Sequence, residues 1–156
     1  MINRKPETLR PLLEELASYK NKKNQRKHSV SNSDVAWQID HSLRVFNLVS
    51  KTFLESNPKD YVSKFNKWRL LFFTLGYFPR GKVRAPKVVK SPEVIAIETI
   101  NQQLEIAFQN LEKLKTADWN AHFKHFIFGV LNKPRTIRFL QLHTTHHLKI
   151  IDDILK

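Results

Sequence analysis

The sequence predicts an all-α fold, a bundle of four long helices with a short additional N-terminal helix, in one domain that spans residues 1–156. Apolar residues recur at three- and four-residue spacing over long stretches, as in helices that bury one face. The chain has only 3 glycines, and no stretch shows the sustained two-residue alternation of a strand. A length of 156 residues suits one domain with a sizeable core, and no internal repeat is visible.

The N-terminal half contains three of the predicted helices. The short first helix accommodates Pro11 only near its start. The second helix begins near the N-cap candidates Ser31–Ser33 and runs from Asp34 to Ser56, because no Gly or Pro interrupts it. The third helix ends at Gly76. The apolar stripes are, in order, Leu9, Leu12, Leu13 and Leu16; Trp37, Ile39, Leu43, Phe46, Val49 and Phe53; and Phe65, Trp68, Leu71, Phe72 and Leu75.

The C-terminal half contains the other two helices. After a basic connector at 80–90, Ser91-Pro-Glu93 is typical of a helix start, with a capping hydroxyl, a proline and an acid near the positive end of the helix dipole. Residues 116–133 indicate an ordered aromatic loop with room for one helical turn. Asn132 is expected to cap the last helix, which runs from Pro134 to Leu155. The fourth helix has an apolar seam suited to antiparallel packing: Ile97, Ile100, Leu104, Ala107, Leu111 and Leu114.

The chain is strongly basic, with a formal net charge of +13 at neutral pH. Such a charge favours polyanions as partners, either nucleic acid or an acidic membrane surface, because binding releases counterions. Much of the excess lies in two predicted loops, Lys20–Lys27 and Arg80–Lys90. Charge runs of this kind are ordinarily solvated loops, so nucleic-acid binding is the less favoured interpretation.

Other features of the composition restrict the possible chemistry and the compartment. Cysteine is absent, which excludes disulfides, thiolate metal sites and cysteine nucleophiles, so a metal must be held by nitrogen or oxygen. The N-terminus lacks the apolar run of a secretory signal, and no stretch has the length of a membrane span. We therefore expect a soluble cytoplasmic protein with no membrane partner.

The sharpest chemical signal lies in the last predicted helix, within Leu142-His-Thr-Thr-His-His-Leu148. His143 and His147 are four residues apart, so their rings stand one turn apart on one face and can share a metal ion. Thr144 and His147 lie on the apolar seam of this helix, so the pair is expected to point inward. His146 is rotated by about 100° from His147, and we expect it beside the pair rather than in it.

A third histidine, His41, lies on the second predicted helix, one turn after Trp37. Taken alone, such a histidine is more often a core or edge residue than a ligand, and a tryptophan there is more often core than pocket wall. Joined to the C-terminal pair, His41 completes a three-nitrogen face that leaves coordination positions open for water or substrate. In the alternative, these histidines donate hydrogen bonds to backbone carbonyls at the edge of the core.

Imidazole ligands suit several divalent transition metals, of which Zn and Ni are favoured here and Fe and Mn remain compatible. A metal at such a site acts as a Lewis acid that lowers the pKa of water or of a thiol. The spacer between His143 and His147 contains no glutamate, unlike the His-Glu-x-x-His motif of metalloproteases, so no general base is built into it. A peptidase is therefore disfavoured.

Three segments together resemble the DinB/YfiT-like superfamily of metal-dependent four-helix-bundle proteins. They are Trp37-Gln-Ile-Asp-His-Ser-Leu-Arg44, Phe126-Ile-Phe-Gly129 and Leu142–Leu148. The basic, proline-containing connector Phe78–Lys82 is similar to that of an uncharacterised DinB-like branch. The resemblance covers the chain from about Asp34 to its C-terminus.

The resemblance implies one metal held by a lone histidine of an early helix and a His-x-x-x-His pair of the last helix. In this chain the matching residues are His41, His143 and His147. Characterised relatives include thiol-dependent S-transferases, a mycothiol-dependent isomerase and metal-dependent hydrolases, so the superfamily does not name one reaction. Members commonly dimerise through the bundle, which implies a homodimer. The strongly basic surface departs from the family pattern.

We therefore expect a small metal-dependent hydrolase or thiol S-transferase, in which metal-activated water or a low-molecular-weight thiol cosubstrate attacks a small electrophilic substrate. The competing hypotheses are a non-catalytic module that binds nucleic acid or another polyanion, and a bundle that keeps the metal for structure alone. His125 lies in the aromatic loop, where packing is its more frequent role and the mouth of a pocket the alternative. Glu98 and Glu105 are expected on a solvated face, and neither is assigned as a base.

Overall fold

A computed structural model describes residues 4–81, 87 and 91–156 of the chain. The fold is mostly helical, with one small antiparallel sheet of two strands. The helices agree with the all-α expectation, whereas the sheet was not expected. The elements are α1 (Arg10–Ser18), α2 (Val35–Leu54), α3 (Lys67–Leu75), α4 (Ile97–Thr116), β1 (His122–His125), β2 (Gly129–Asn132) and α5 (Lys133–Leu155).

Four of the helices pack in a ring around the core. Helix α2 contacts both α4 and α5, and α1 contacts the same two helices from the other side. The leucine stripe of the first helix is buried as expected, with Leu9, Leu13 and Leu16 fully covered. Helix α1 and helix α3 each have 9 residues, so two helices are short rather than one. Helix α3 lies outside the ring, against α5.

Local capping explains where α2 and α3 begin. The N-cap of α2 is Asp34, whose carboxylate accepts a hydrogen bond from the backbone N–H of Trp37 at 2.8 Å. The cap is therefore not in the expected stretch Ser31–Ser33. Asn66 caps α3 in the same way. Gly76 ends α3 with a φ of 76°, the left-handed conformation that favours glycine.

The expected helix start at Ser91-Pro-Glu93 is wrong, because α4 begins six residues after Ser91, at Ile97. Ile95 is buried in the core, and its carbonyl accepts a hydrogen bond from Lys23 Nζ. Tertiary contacts of the segment before α4 thus override the local capping signal. Most of the basic connector at 80–90 lies outside the described residues.

The segment expected as an aromatic loop with one helical turn forms a β-hairpin instead. Strands β1 and β2 pair antiparallel, with His122 opposite Asn132 and His125 opposite Gly129. Each strand has only four residues, too few for two-residue alternation to be recognised in the sequence. The hairpin buries Phe123 against the core. It places an ordered aromatic surface beside the N-terminal half of α5.

Candidate metal centre

The structure brings together the three histidines that the sequence singled out. One nitrogen from each of His41, His143 and His147 can be chosen so that all three atoms lie within 4.8 Å of one another. The centroids of the His143 and His147 rings are 4.6 Å apart, and His41 lies 5.3 and 4.9 Å from them. His143 and His147 stand one turn apart on α5, and the packing of α2 against α5 supplies His41.

Burial keeps the imidazoles of His143 and His147 neutral. His41 and His147 are buried, and His143 is partly exposed at the surface of the protein. Desolvation, followed by repulsion from the neighbouring histidines, lowers the pKa of His143 and of His147 well below the ordinary value. Neutral imidazoles retain a lone pair near neutral pH, which is the form that binds a metal.

The donor set fits one divalent transition metal. A tetrahedral site with metal–nitrogen distances of about 2.1 Å needs nitrogen atoms roughly 3.4 Å apart. The separation of up to 4.8 Å closes to that value with side-chain displacements of roughly 1 Å, which small torsion changes provide. Among the described residues, no carboxylate belongs to the cluster. The ligand set is therefore neutral.

Gln38 fixes the tautomer of His147. Its Oε1 lies 2.7 Å from His147 Nδ1, and an amide oxygen only accepts, so Nδ1 carries the proton and Nε2 carries the lone pair. The amide is oriented in turn because Gln38 Nε2 donates to Ser31 Oγ at 3.2 Å. Sequence reasoning missed Gln38. Its spacing of three residues before His41, on the same face of one helix, is the signal that could have found it.

Replacement of Gln38 by leucine is expected to weaken metal binding by roughly 10- to 100-fold, because the imidazole then loses the acceptor that orients it. A competition titration with a chromophoric Zn²⁺ chelator measures the change. Gln38→Glu keeps an acceptor at the same place and should retain high affinity. Gln109→Leu, an exposed change on α4, is the matched control. Equal affinities for Gln38→Leu and Gln109→Leu would contradict the orienting role.

Aromatic rings border the cluster on two sides. The Trp37 ring stacks on the His41 ring, with centroids 4.8 Å apart and an interplanar angle of 13°. The Phe139 ring lies 5.7 Å from the His143 ring. Trp37 is partly buried against the core, in agreement with the favoured interpretation, and it also contacts the cluster through His41. These rings present an apolar wall beside the ligand nitrogens.

His125 lies near the cluster but outside it. Its Nδ1 accepts hydrogen bonds from the backbone N–H groups of Ile127 and Phe128, at 3.1 and 3.2 Å. The ring stacks on Phe126 and Phe128, with both centroids 4.6 Å away, and also contacts Phe139. Burial lowers the pKa of His125 to about 4. The imidazole is thus neutral, with its proton on Nε2.

The depressed pKa of His125 predicts that the metal-free protein loses stability in mild acid. An unfolded chain takes up a proton at His125 below about pH 6.5, whereas the folded chain does so only near pH 4. The free energy of unfolding therefore has its full value above about pH 6.5 and falls as the pH decreases toward 4, by about 3 kcal/mol from this residue. Urea unfolding at several pH values, with an NMR titration of His125, measures the effect. An ordinary pKa for His125 would contradict it.

His146 lies beside the three-histidine cluster and not in it, as the helical rotation predicted, with its ring centroid 5.1 Å from that of His147. Its Nδ1 lies 3.1 Å from the carbonyl oxygen of Phe78. Together with Arg80 and Lys149 it lines an open cavity of about 310 Å³ between α5 and the segment that follows α3. His28 is exposed in the loop before α2. Glu98 and Glu105 are exposed on α4, in agreement with the expected solvated face.

Comparisons of this chain with protein-family models, with curated proteins and with solved structures found no match. The site therefore has to be interpreted from its own geometry.

Proposed function

We propose that this chain binds one divalent transition metal through His41, His143 and His147, and that it is a metal-dependent hydrolase or thiol S-transferase that acts on a small electrophile. The observation that carries the proposal is the convergence of three imidazoles from two helices, of which His143 and His147 are kept neutral by burial. One nitrogen of each ring lies near nitrogens of the other two, as a shared metal ion requires.

The same residues carry the resemblance to the DinB/YfiT-like superfamily. The packing of α2 against α4 and α5 supports a DinB-like bundle, although its fourth helix is α1, which was expected to be additional, and not α3. In that superfamily a lone histidine and a His-x-x-x-His pair hold the metal, and His41 with His143 and His147 fit that pattern. Homodimerisation through the bundle belongs to the same proposal.

The ligand set favours Zn or Ni, with Fe and Mn as compatible ions, because three imidazoles and no carboxylate suit borderline metals. When bound, the ion supplies Lewis acidity that generates a nucleophile from water or a thiol near neutral pH. Three neutral ligands leave the full charge of the ion in place, which strengthens this effect.

The protein side chains would orient the ligands and exclude water. Gln38 holds the His147 ring in the tautomer that presents Nε2. The Trp37 and Phe139 rings next to the histidines provide apolar contact for a small substrate and reduce hydration of the site. His125 keeps one N–H on Nε2 over a wide pH range, in the hairpin beside Phe139.

The metal assignment is tested on protein expressed without a histidine tag, stripped with a chelator and titrated with Zn²⁺ or Ni²⁺. We expect saturation close to one ion per chain. Saturation at a fraction of one ion, or continuous weak uptake, would contradict a defined centre. If removal of the metal by the chelator unfolds the protein, a structural role for the metal is favoured.

The reaction class is tested on the metal-loaded protein with a panel of small electrophilic esters, amides, epoxides and aryl halides, with and without a low-molecular-weight thiol. Mass spectrometry of the products distinguishes addition of water from addition of the thiol. Turnover is expected from the loaded protein and not from the stripped one. If the protein binds one ion per chain but forms no product that depends on the metal, the proposed enzymatic activity is excluded and only the proposed metal binding is retained.

The second candidate function is a polyanion-binding module, which the net charge of +13 favours. In the loop before α2, however, several cations have partners within the chain: Lys20 bonds to Asn101 and Lys23 to the carbonyl of Ile95. Binding to RNA or DNA that falls steeply with rising salt would support this function. Weak binding that is insensitive to salt would count against it.

A further inference from the structure

Helix α3 has an apolar face that is about half exposed to solvent. Trp68, Leu71 and Leu75 follow one another at helical spacing, and their exposed fractions are 47%, 45% and 51%. The segments on either side of the helix continue the surface. Their exposed large side chains are Val62, Phe65 and Tyr77.

The apolar face expected on this helix is buried only in part: Phe72 packs against the core, whereas the other members, Phe65, Trp68, Leu71 and Leu75, are exposed. The buried side of α3 consists of Arg69 and Phe73, which are 8% and 5% exposed. Arg69 donates hydrogen bonds to the backbone carbonyls of Lys64 and Phe128, and Phe73 packs on the Phe128 ring. These contacts fix the orientation of the helix, so its apolar stripe forms an ordered surface that faces solvent.

The charged residues of the segment that carries this surface are all basic, and one of them, Arg80, is paired with Asp153 of α5. Residues 61–92 contain no Asp or Glu. Lys64 and Lys67 are exposed at the N-terminal end of α3, and Lys67 Nζ lies 5.3 Å from the centroid of the Trp68 ring. The Lys and Arg residues of 61–92 are Lys64, Lys67, Arg69, Arg80, Lys82, Arg84, Lys87 and Lys90.

We propose that the α3 surface, defined as Val62, Phe65, Trp68, Leu71, Leu75 and Tyr77, docks on the interface of a lipid bilayer that contains anionic headgroups. Aromatic and aliphatic side chains beside lysines are the composition of helices that lie in a membrane interface. Anionic headgroups match the positive charge, and each nearby Lys or Arg adds attraction.

A second copy of the chain fits this surface less well than a membrane. Two copies joined face to face would bring the lysines of both copies together, and like charges across an interface oppose association. The mode of binding is peripheral, since no helix within the described ranges combines the length and apolar character needed to cross a bilayer. The proposal replaces the sequence-based expectation of no membrane partner, and it is independent of the metal centre.

Co-sedimentation with vesicles tests the proposal. We expect the full chain to bind vesicles of phosphatidylcholine mixed with phosphatidylglycerol, and to bind vesicles of phosphatidylcholine alone at least tenfold more weakly. Leu71→Glu should lower binding to the mixed vesicles by about tenfold or more, because it removes apolar area and adds a negative charge. Ile106→Glu is the matched control, since Ile106 is 47% exposed on α4. This control should bind almost like the unchanged protein.

Three outcomes would overturn the proposal. Equal losses in Leu71→Glu and Ile106→Glu would show that net charge alone drives binding. Equal binding to both kinds of vesicle would exclude recognition of anionic headgroups. Absence of vesicle binding, together with a dimer that Leu71→Glu dissociates in sedimentation velocity, would assign the surface to contact between copies of the chain. Far-UV circular dichroism of both variants confirms that each is folded.

Discussion

His147→Ala is expected to weaken Zn²⁺ binding by about 100-fold or more, the largest effect of any single change at the metal centre. Structural zinc sites with four ligands bind with roughly 10–16 kcal/mol, so the loss of one ligand costs about 3 kcal/mol, which is about 100-fold in affinity. His147 is also the ligand whose tautomer Gln38 fixes. The substitution therefore removes one metal ligand and leaves the Gln38 amide without the imidazole that it orients. Competition titration and elemental analysis of the purified protein measure the change.

Two control variants distinguish this effect from the effect of removing any other histidine of the chain. His146→Ala removes the adjacent residue on α5, whose ring bonds to the carbonyl of Phe78. His122→Ala removes a half-buried hairpin residue that lies outside the cluster. Both variants should keep one ion per chain. A metal content of His147→Ala equal to that of the controls would refute the three-histidine assignment.

The pairing of the two clustered histidines on α5 was predictable because it depends on local periodicity. A spacing of four residues on α5 places His143 and His147 on one face whatever surrounds the helix. The position of His41 required the additional step that α2 packs against α5, and the resemblance supplied it. Gln38 was missed because glutamine has no ligand chemistry of its own and gains a role only when the His147 ring lies 2.7 Å away.

The parts of the fold that the sequence did not predict depend on competition between segments. The apolar stripe of α3 has the same spacing as the stripes of core helices, and periodicity alone does not tell which stripe the core accommodates. The core is instead filled by the leucines of α1, such as Leu13. The hairpin went unrecognised for a different reason, since its support comes from Arg69 on a distant helix rather than from its own pattern.

Arg69→Met is expected to lower the free energy of unfolding by about 3 kcal/mol, the largest stability effect that the structure predicts for a polar residue. The guanidinium donates to the carbonyl oxygens of Phe128 at 3.0 Å and of Lys64 at 2.6 Å. Methionine fills a similar volume but leaves both carbonyls without this donor, and an unsatisfied buried group costs about 1–3 kcal/mol. Urea unfolding followed by circular dichroism measures the loss.

Lys67→Met on the same helix is the matched control, because Lys67 is exposed and its removal should change stability by less than about 0.5 kcal/mol. Arg69→Lys keeps the charge but lacks the planar fork that reaches both carbonyls, so only part of the stability should return. The loss in Arg69→Met should be accompanied by a change at His125, whose Nδ1 accepts from the N–H of Phe128. A stable Arg69→Met protein with an unaltered His125 NMR signal would show that the hairpin holds its shape without the hydrogen bonds of Arg69.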